Sequence, residues 1–177
     1  MTLKELISSW KADLPAYAEP FWKAVLFIPG YCYTFHHRLC FYLSSHWYTK
    51  PLFIIHIFFL RHLTYKYGIQ MSWKVKLPVP FTIAHFGGIT FFPEKCGSNI
   101  YLRQGVTVGN KGRGNERHPI LGNNITFGAN SIVVGPITVG DNVIIAAGAV
   151  VTKDIPSNCI VAGVPAKIIK SIENNNN

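Results

Sequence analysis

The chain has 177 residues, a net charge of +9 and a hydrophobic content of 49%. This apolar content excludes extended disorder outside the terminal Asn174–Asn177 run, and the scattered basic residues argue against nucleic acid as a partner. Four cysteines without CxxC spacing favour reduced thiols, and the first residues lack the pattern of a signal peptide, so we expect a cytoplasmic protein.

Residues 1–70 predict a helical segment, because prolines interrupt it at intervals and helical spacing covers 31–45 and 52–67. The second stretch contains LFIIHIFFL, which is shorter than the roughly 20 apolar residues that span a bilayer. It predicts a helix packed against its neighbours or against a trimer mate, or a peripheral membrane contact through residues 50–67. Basic side chains would then meet the lipid headgroups: Lys50, Arg61, His62 and Lys66.

The next region, residues 71–165, repeats every six residues. Apolar side chains recur at this interval at Leu121, Phe127, Val133, Val139, Ile145 and Val151. A period of six is typical of a solenoid in which three short strands form one triangular coil. The polar stretch GNKGRGNERHPI, residues 109–120, interrupts the repeat and predicts a protruding loop. Residues 166–177 predict a short closing helix and a disordered tail.

Several motifs within the repeat resemble those of bacterial hexapeptide-repeat acyltransferases, in particular the serine acetyltransferase branch. They are IAHFGGI (83–89), RQGVTVG (103–109), RHP (117–119) and VVTKDIP…VAGVPAK (150–167). The resemblance implies a mainly β fold, a left-handed parallel β-helix. It also implies a homotrimer that binds acetyl-CoA, without metal, in the groove between adjacent prisms.

By the same resemblance, His85 is the catalytic base, His118 is a second active-site histidine and Arg117 contacts the acceptor. Small residues would line the channel for CoA: Gly109, Ala129 and Ala147. The assignment of His85 suits the chemistry, because a hydroxyl needs a base to become a nucleophile and imidazole titrates near ~6.5. Four basic residues would attract the CoA phosphates: Lys111, Arg113, Lys153 and Lys167.

The chain departs from the family at two positions, since Ala84 and Gln70 stand where serine acetyltransferases have aspartates. A backbone carbonyl or Glu116 would then orient His85, and Glu116 is also a candidate to bind the substrate. With the short helical segment, these changes lead us to expect a sugar hydroxyl as acceptor, in capsule, O-antigen or exopolysaccharide synthesis. Aromatic rings beside the cleft would stack on the sugar: Phe86, Phe91 and Phe92.

Three alternatives remain open from the sequence. The acceptor is serine itself, or the solenoid is a non-catalytic scaffold that does not bind CoA. The third is a zinc hydratase like the γ-type carbonic anhydrases, which needs three histidine ligands where the repeat offers only His85 and His118.

Overall fold

The computed structural model describes residues 1–112, 114 and 116–172. Residues 1–67 form a helical cap, and a three-sided prism of short strands follows it, so the helical N-terminal segment is confirmed. The cap contains α1 (Leu3–Asp13), α2 (Phe21–Phe27), α3 (Pro29–Ser44) and α4 (Lys50–Tyr67), with 3-10 turns at Leu14–Tyr17 and Trp47–Thr49. Within the described residues, every helix is too short or too polar to cross a membrane.

Local sequence sets the ends of the helices. Thr2 caps α1, since its hydroxyl accepts the Glu5 backbone N–H at 3.2 Å while the Glu5 carboxylate accepts the Thr2 N–H at 2.8 Å. α3 and α4 each have a proline in the first turn, where no N–H is needed. Gly68 ends α4 in the left-handed conformation that favours glycine.

The prism has three faces of parallel strands. The first face contains β2 (Phe81–Ile83), β5 (Ile100–Leu102), β8 (Ile125–Phe127), β11 (Val143–Ile145), β13 (Cys159–Ala162) and the antiparallel β14 (Lys167–Ser171). The second contains β1 (Ile69–Met71), β3 (Ile89–Phe91), β6 (Thr107–Gly109), β9 (Ile132–Val134) and β12 (Val150–Val151). The third contains β4 (Lys95–Cys96), β7 (Ile120–Leu121) and β10 (Thr138–Val139).

The chain visits these faces in the order first, second, third. We therefore call the turn between the first and second faces the first corner, the next turn the second corner, and the return to the first face the third corner. Apolar residues from each coil stack inside the prism, where Ile83, Leu102, Phe127 and Ile145 lie in register and are buried. The predicted six-residue repeat is thus confirmed as the core of a left-handed parallel β-helix.

Asparagines form a ladder along the third corner. Asn99, Asn124, Asn142 and Asn158 all have positive φ, which asparagine tolerates better than most residues. The amide of Asn99 donates to Asn124 at 2.9 Å, and that of Asn142 donates to Asn158 at the same distance. The side chains that permit the turn therefore also join adjacent coils.

The helical cap covers the open edge of the first coil. The carboxylate of Asp13 accepts the backbone N–H of Phe81 at 2.8 Å. The hydroxyl of Tyr17 accepts the N–H of Ile83 at 3.0 Å and donates to its carbonyl at 3.3 Å. Side chains of the cap thus satisfy backbone groups of β2 that would otherwise be an unpaired strand edge.

A buried ion pair holds Asp13 in place. Arg38 Nε donates to Asp13 Oδ2 at 2.8 Å, and a second guanidinium nitrogen donates to Oδ1 at 3.1 Å. Arg38 also donates to the carbonyls of Leu77 at 3.0 Å and Pro78 at 2.7 Å. One guanidinium therefore links α1, α3 and the segment that enters β2.

The prediction of a closing helix after residue 166 is wrong, because Lys167–Ser171 forms β14, antiparallel to β13. The last parallel strand leaves an edge of unpaired backbone groups, and the returning chain pairs with it. The predicted tail, Asn174–Asn177, lies outside the described residues, as do Arg113 and Asn115 of the predicted loop.

Candidate active site

His85 lies on the first corner, where the chain leaves β2 and turns toward β3. Gly87 and Gly88 both have positive φ, and this allows the turn immediately after the histidine. His85 and Phe86 are exposed, whereas Ile83 two residues earlier is fully buried. The strand therefore fixes the backbone, and the turn presents the imidazole to solvent.

A pocket of about 330 Å³ lies beside this imidazole. The prism contributes Ala84, His85, Phe86 and Gln104, and the cap contributes Ile28, Pro29 and Gly30. The cap reaches the pocket because α3 packs tightly on β2, such that a Cβ on Gly30 would overlap the carbonyl oxygen of Ile83. Sequence reasoning missed this wall and interpreted Pro29–Gly30 only as an interruption between helices.

Gln104 is a second pocket residue that sequence reasoning missed. The pairing of Ile83 with Leu102 places Gln104 one coil beyond His85 on the same corner. Its side-chain carbonyl oxygen is buried without a hydrogen-bond partner among the described residues. Because such an oxygen is costly to leave unpaired, a rotation of the amide toward the pocket would let it accept a hydrogen bond from a bound molecule. The sequence feature that could have indicated this pocket residue is the glutamine in RQGVTVG, directly before Gly105.

Among the described residues, Glu116, which we expected to orient His85, does not line the pocket beside the imidazole. Ala84 adds no carboxylate to the pocket, and Gln70 is exposed on β1 of the second face.

The predicted aromatic platform is wrong for Phe91. This side chain is buried inside the prism, where its ring packs against Phe81 and Phe127, so it cannot stack on a ligand. It belongs to the inward-pointing positions of β3. Phe86 lies at the pocket and packs edge-on against Tyr67, while Phe92 is half-buried.

His118 lies on the second corner, at the end of the insertion between β6 and β7. The carbonyl of Pro119 accepts the N–H of Glu94 at 2.8 Å, which fixes the end of the loop. His118 is half-buried, and its Nδ1 has no hydrogen-bond partner within the described residues. Arg117 and Glu116 before it are exposed. One protomer therefore places its two candidate histidines on different corners.

The residues proposed to hold CoA divide between the same two corners. Ala129 and Ala147 lie on the first corner in successive coils, where the backbones are close: a Cβ on Gly128 would overlap the backbone nitrogen of Ala147. Gly109 ends β6, and exposed Lys153 follows β12, so both belong to the second corner.

Two further lysines were expected to attract the CoA phosphates. The side chain of Lys111 reaches from the insertion to the following coil, where it packs against Gly135. A Cβ atom on Gly135 would lie 2.6 Å from the Cε atom of Lys111. Lys167 is exposed at the start of β14 on the first face. Arg113 lies outside the described residues. Across those residues, no three His, Cys, Asp or Glu side chains cluster in a way that could hold a metal ion.

Comparison with known sequences identifies relatives of the chain. Residues 120–153 match the family model described as hexapeptide repeat of succinyl-transferase. A serine acetyltransferase of Synechococcus elongatus is 33% identical over 141 residues, which are 78% of this chain and 58% of that protein. The chain thus spans little more than half the length of that relative. A serine acetyltransferase of Helicobacter pylori is 31% identical over 150 residues, which are 84% of this chain and 85% of that protein.

Solved structures agree over nearly the whole chain. A Neisseria gonorrhoeae serine acetyltransferase in complex with serine has a TM-score of 0.77 and 26% identity, covering 95% of this chain and 70% of that one. A Brucella abortus serine acetyltransferase in complex with coenzyme A has a TM-score of 0.74 and 27% identity, covering 97% of this chain and 70% of that one.

These relatives overturn the prediction of a sugar acceptor in polysaccharide synthesis. That prediction treated the first 70 residues as foreign to serine acetyltransferases, yet the structural match extends over 95% of the chain and therefore includes most of the cap. The substitutions at Ala84 and Gln70 change single side chains within a conserved architecture. The chain belongs to the serine acetyltransferase family.

Proposed function

We propose that the protein transfers the acetyl group of acetyl-CoA to the hydroxyl of serine. The observation that carries this proposal is the exposed imidazole of His85 in a pocket at a coil corner of a serine acetyltransferase fold. His85 takes the hydroxyl proton as the serine oxygen attacks the thioester carbonyl. The tetrahedral intermediate then expels the CoA thiolate, to which the imidazolium returns the proton.

Gln104 serves as a binding residue for the acceptor in this proposal. Among the described residues of one protomer, those that line the pocket include no carboxylate, so the serine ammonium group needs a neutral acceptor there. The unpaired carbonyl oxygen of Gln104 provides one on the same corner as His85. Arg117 of the insertion is the cation proposed for the serine carboxylate, which the neighbouring carboxylate of Glu116 would repel.

The working form in this proposal is a homotrimer. His85 and His118 occupy different corners of one prism, so a neighbouring prism is needed to bring a second histidine to the pocket. The thioester arm would then lie between two prisms, along Ala129 and Ala147 of one and Gly109 of the other. Lys111, Lys153 and Lys167 would face the CoA phosphates.

The proposed location is the cytoplasm, where acetyl-CoA and reduced thiols are found. The four cysteines support this, since Cys32, Cys40, Cys96 and Cys159 are all free thiols. Burial raises the pKa of the Cys40 thiol to about 11 and that of Cys96 to about 12, which keeps both protonated and unreactive.

Release of free CoA from acetyl-CoA in the presence of L-serine tests the reaction. We expect turnover by the wild-type protein and a loss of about 10²- to 10⁴-fold in kcat for His85→Ala. His46→Ala is the matched control and should keep full activity, because the ring of this cap histidine contacts Tyr42 and Tyr48, which do not line the pocket. Full activity of His85→Ala, or no CoA release with serine, would refute the proposal. An absence of saturable CoA binding by calorimetry would instead favour a scaffold.

Co-expression of two inactive variants tests the trimer. Protein with His85→Ala alone or His118→Ala alone should lose activity, whereas a mixture of the two chains should regain part of it. The gain is expected because some mixed trimers pair an intact His85 with an intact His118 from the neighbour. Mixtures no more active than the single variants would show that each protomer works with its own two histidines or without His118.

A further inference from the structure

The outer side of α4 is apolar where a surface helix is ordinarily polar. Leu60 and Leu63 lie on the buried side of this helix, yet its exposed side also carries large apolar residues. Ile55 is 70% exposed and Phe58 is 69% exposed, while Trp47 in the preceding turn is 83% exposed. We call this surface the apolar face, and it consists of Trp47, Tyr48, Leu52, Ile54, Ile55, Phe58 and Phe59.

The apolar face continues across the helical cap. A groove of about 460 Å³ between α3 and α4 is lined by Leu39, Leu43, Leu52, Ile55, His56 and Phe59. Aromatic contacts then extend to α2: Phe59 to His36 at 4.8 Å, His36 to Phe35 at 5.1 Å and Phe35 to Phe21 at 5.9 Å between ring centroids. α2 exposes further apolar side chains, namely Trp22, Leu26 and Phe27.

The histidines within this surface are neutral, which suits an apolar environment. Burial lowers the pKa of His36 to about 4 and also lowers that of His56, whose Nε2 bonds the carbonyl of His36 at 3.1 Å. Neither ring therefore carries charge at neutral pH.

Charge along α3 and α4 has one sign. The sequence contains no Asp or Glu between Glu19 and Glu94, a stretch that includes α2, α3 and α4. Lys50 at the start of α4 and Arg61 and Lys66 near its end are exposed, and within the described residues none has an acidic partner. The cations thus lie at both ends of an apolar stripe.

The apolar face and the cations at its ends together indicate the chemistry of the partner. A second copy that presented the same face would bring lysine opposite lysine without any carboxylate between them, at an energetic cost. An anionic bilayer satisfies both features, since acyl chains accept the apolar side chains and headgroup phosphates accept the cations. Trp47 and Tyr48 are the residue types that prefer this boundary.

We propose that the apolar face binds the surface of an anionic membrane, with α4 lying in the plane of the interface. The inference does not depend on the acetyl transfer. In the proposed homotrimer, three-fold symmetry would place three caps at the same end of the assembly.

Flotation with lipid vesicles tests the proposal. Wild-type protein should float with vesicles that contain phosphatidylglycerol, bind phosphatidylcholine vesicles at least tenfold more weakly, and lose binding as salt increases. The double variant Ile55→Ser/Phe58→Ser should lose binding at least tenfold. Ile169→Ser is the matched control, because this exposed apolar residue lies on β14, far along the chain from the cap.

Two further measurements separate the alternatives. CoA release in solution by Ile55→Ser/Phe58→Ser should equal that of the wild type, so that loss of lipid binding is not loss of folding or catalysis. Lys50→Glu/Arg61→Glu should abolish the preference for anionic vesicles. Equal flotation of wild type and both variants would overturn the proposal. So would a wild type that ignores vesicles but forms larger oligomers, by light scattering, that the Ile55→Ser/Phe58→Ser variant lacks.

Discussion

Replacing Asp13 by alanine tests whether the buried ion pair holds the helical cap on the β-helix. The variant leaves Arg38 buried with only the carbonyls of Leu77 and Pro78, and it leaves the N–H of Phe81 without its acceptor. Removing one partner of a buried pair costs about 3–5 kcal/mol, and the unpaired N–H adds to this cost. Because a domain of this kind is stable by roughly 5–15 kcal/mol, the loss should be a large part of the total.

Urea unfolding followed by circular dichroism measures this loss. The exposed pair of Lys23 and Glu19 is the matched control, since its 2.9 Å contact resembles the buried one while Glu19→Ala should cost below about 1 kcal/mol. The double variant Asp13→Ala/Arg38→Met should recover part of the stability, because it removes the unpaired charge. If Asp13→Ala cost no more than Glu19→Ala, the cap would not be anchored by this pair.

Three further outcomes are expected. Gly30→Ala should push α3 away from Ile83 and thus lower the melting temperature. It should also raise KM for serine more than KM for acetyl-CoA, because Gly30 lines the pocket. If both KM values equalled those of the wild type, the assigned pocket wall would be contradicted. Gln104→Leu should raise KM for serine about tenfold with KM for acetyl-CoA unchanged, since one hydrogen bond to a charged group is lost; steady-state kinetics with each substrate varied would show whether both constants move together instead. Burial lowers the pKa of His37 to about 4, whereas a histidine in the unfolded chain has a pKa of about 6.5. The unfolded chain therefore binds the proton first as pH falls, and the stability of the folded protein drops between these two values. His37 should thus cost the protein about 2 kcal/mol between about pH 7.5 and about pH 5, and urea midpoints should show a flatter pH dependence in His37→Gln; an unchanged slope would exclude His37 as the source.

The solenoid was predictable because its interior is periodic. Every side chain in the column from Leu121 to Val151 must point inward for the coils to stack, and this constraint is visible as a repeat of six residues. The corner histidine followed from a local motif, since HFGGI combines the imidazole with the glycines that turn the chain. Both features depend on residues that are close together in sequence.

The rest of the site depends on contacts between distant segments. Coils differ in length: Ile83 and its partner Leu102 are 19 residues apart, but Leu102 and Phe127 are 25 residues apart. No single period therefore predicts which residue lies beside His85. The pocket wall from Pro29 and Gly30 requires the docking of α3, which no local pattern encodes. A single substitution such as Ala84 changes one side chain without changing the architecture, so it is a weaker guide to the acceptor than similarity over the whole chain.

Both ends of the prism are sealed by chain segments that differ from its coils. A stack of identical coils has no intrinsic length, because each terminal strand can recruit another copy, as in a fibril. Here Asp13 and Tyr17 occupy one terminus and the reversed strand β14 occupies the other. The number of coils between them can change without altering either seal, whereas removing a seal would leave a strand edge on which another copy could add.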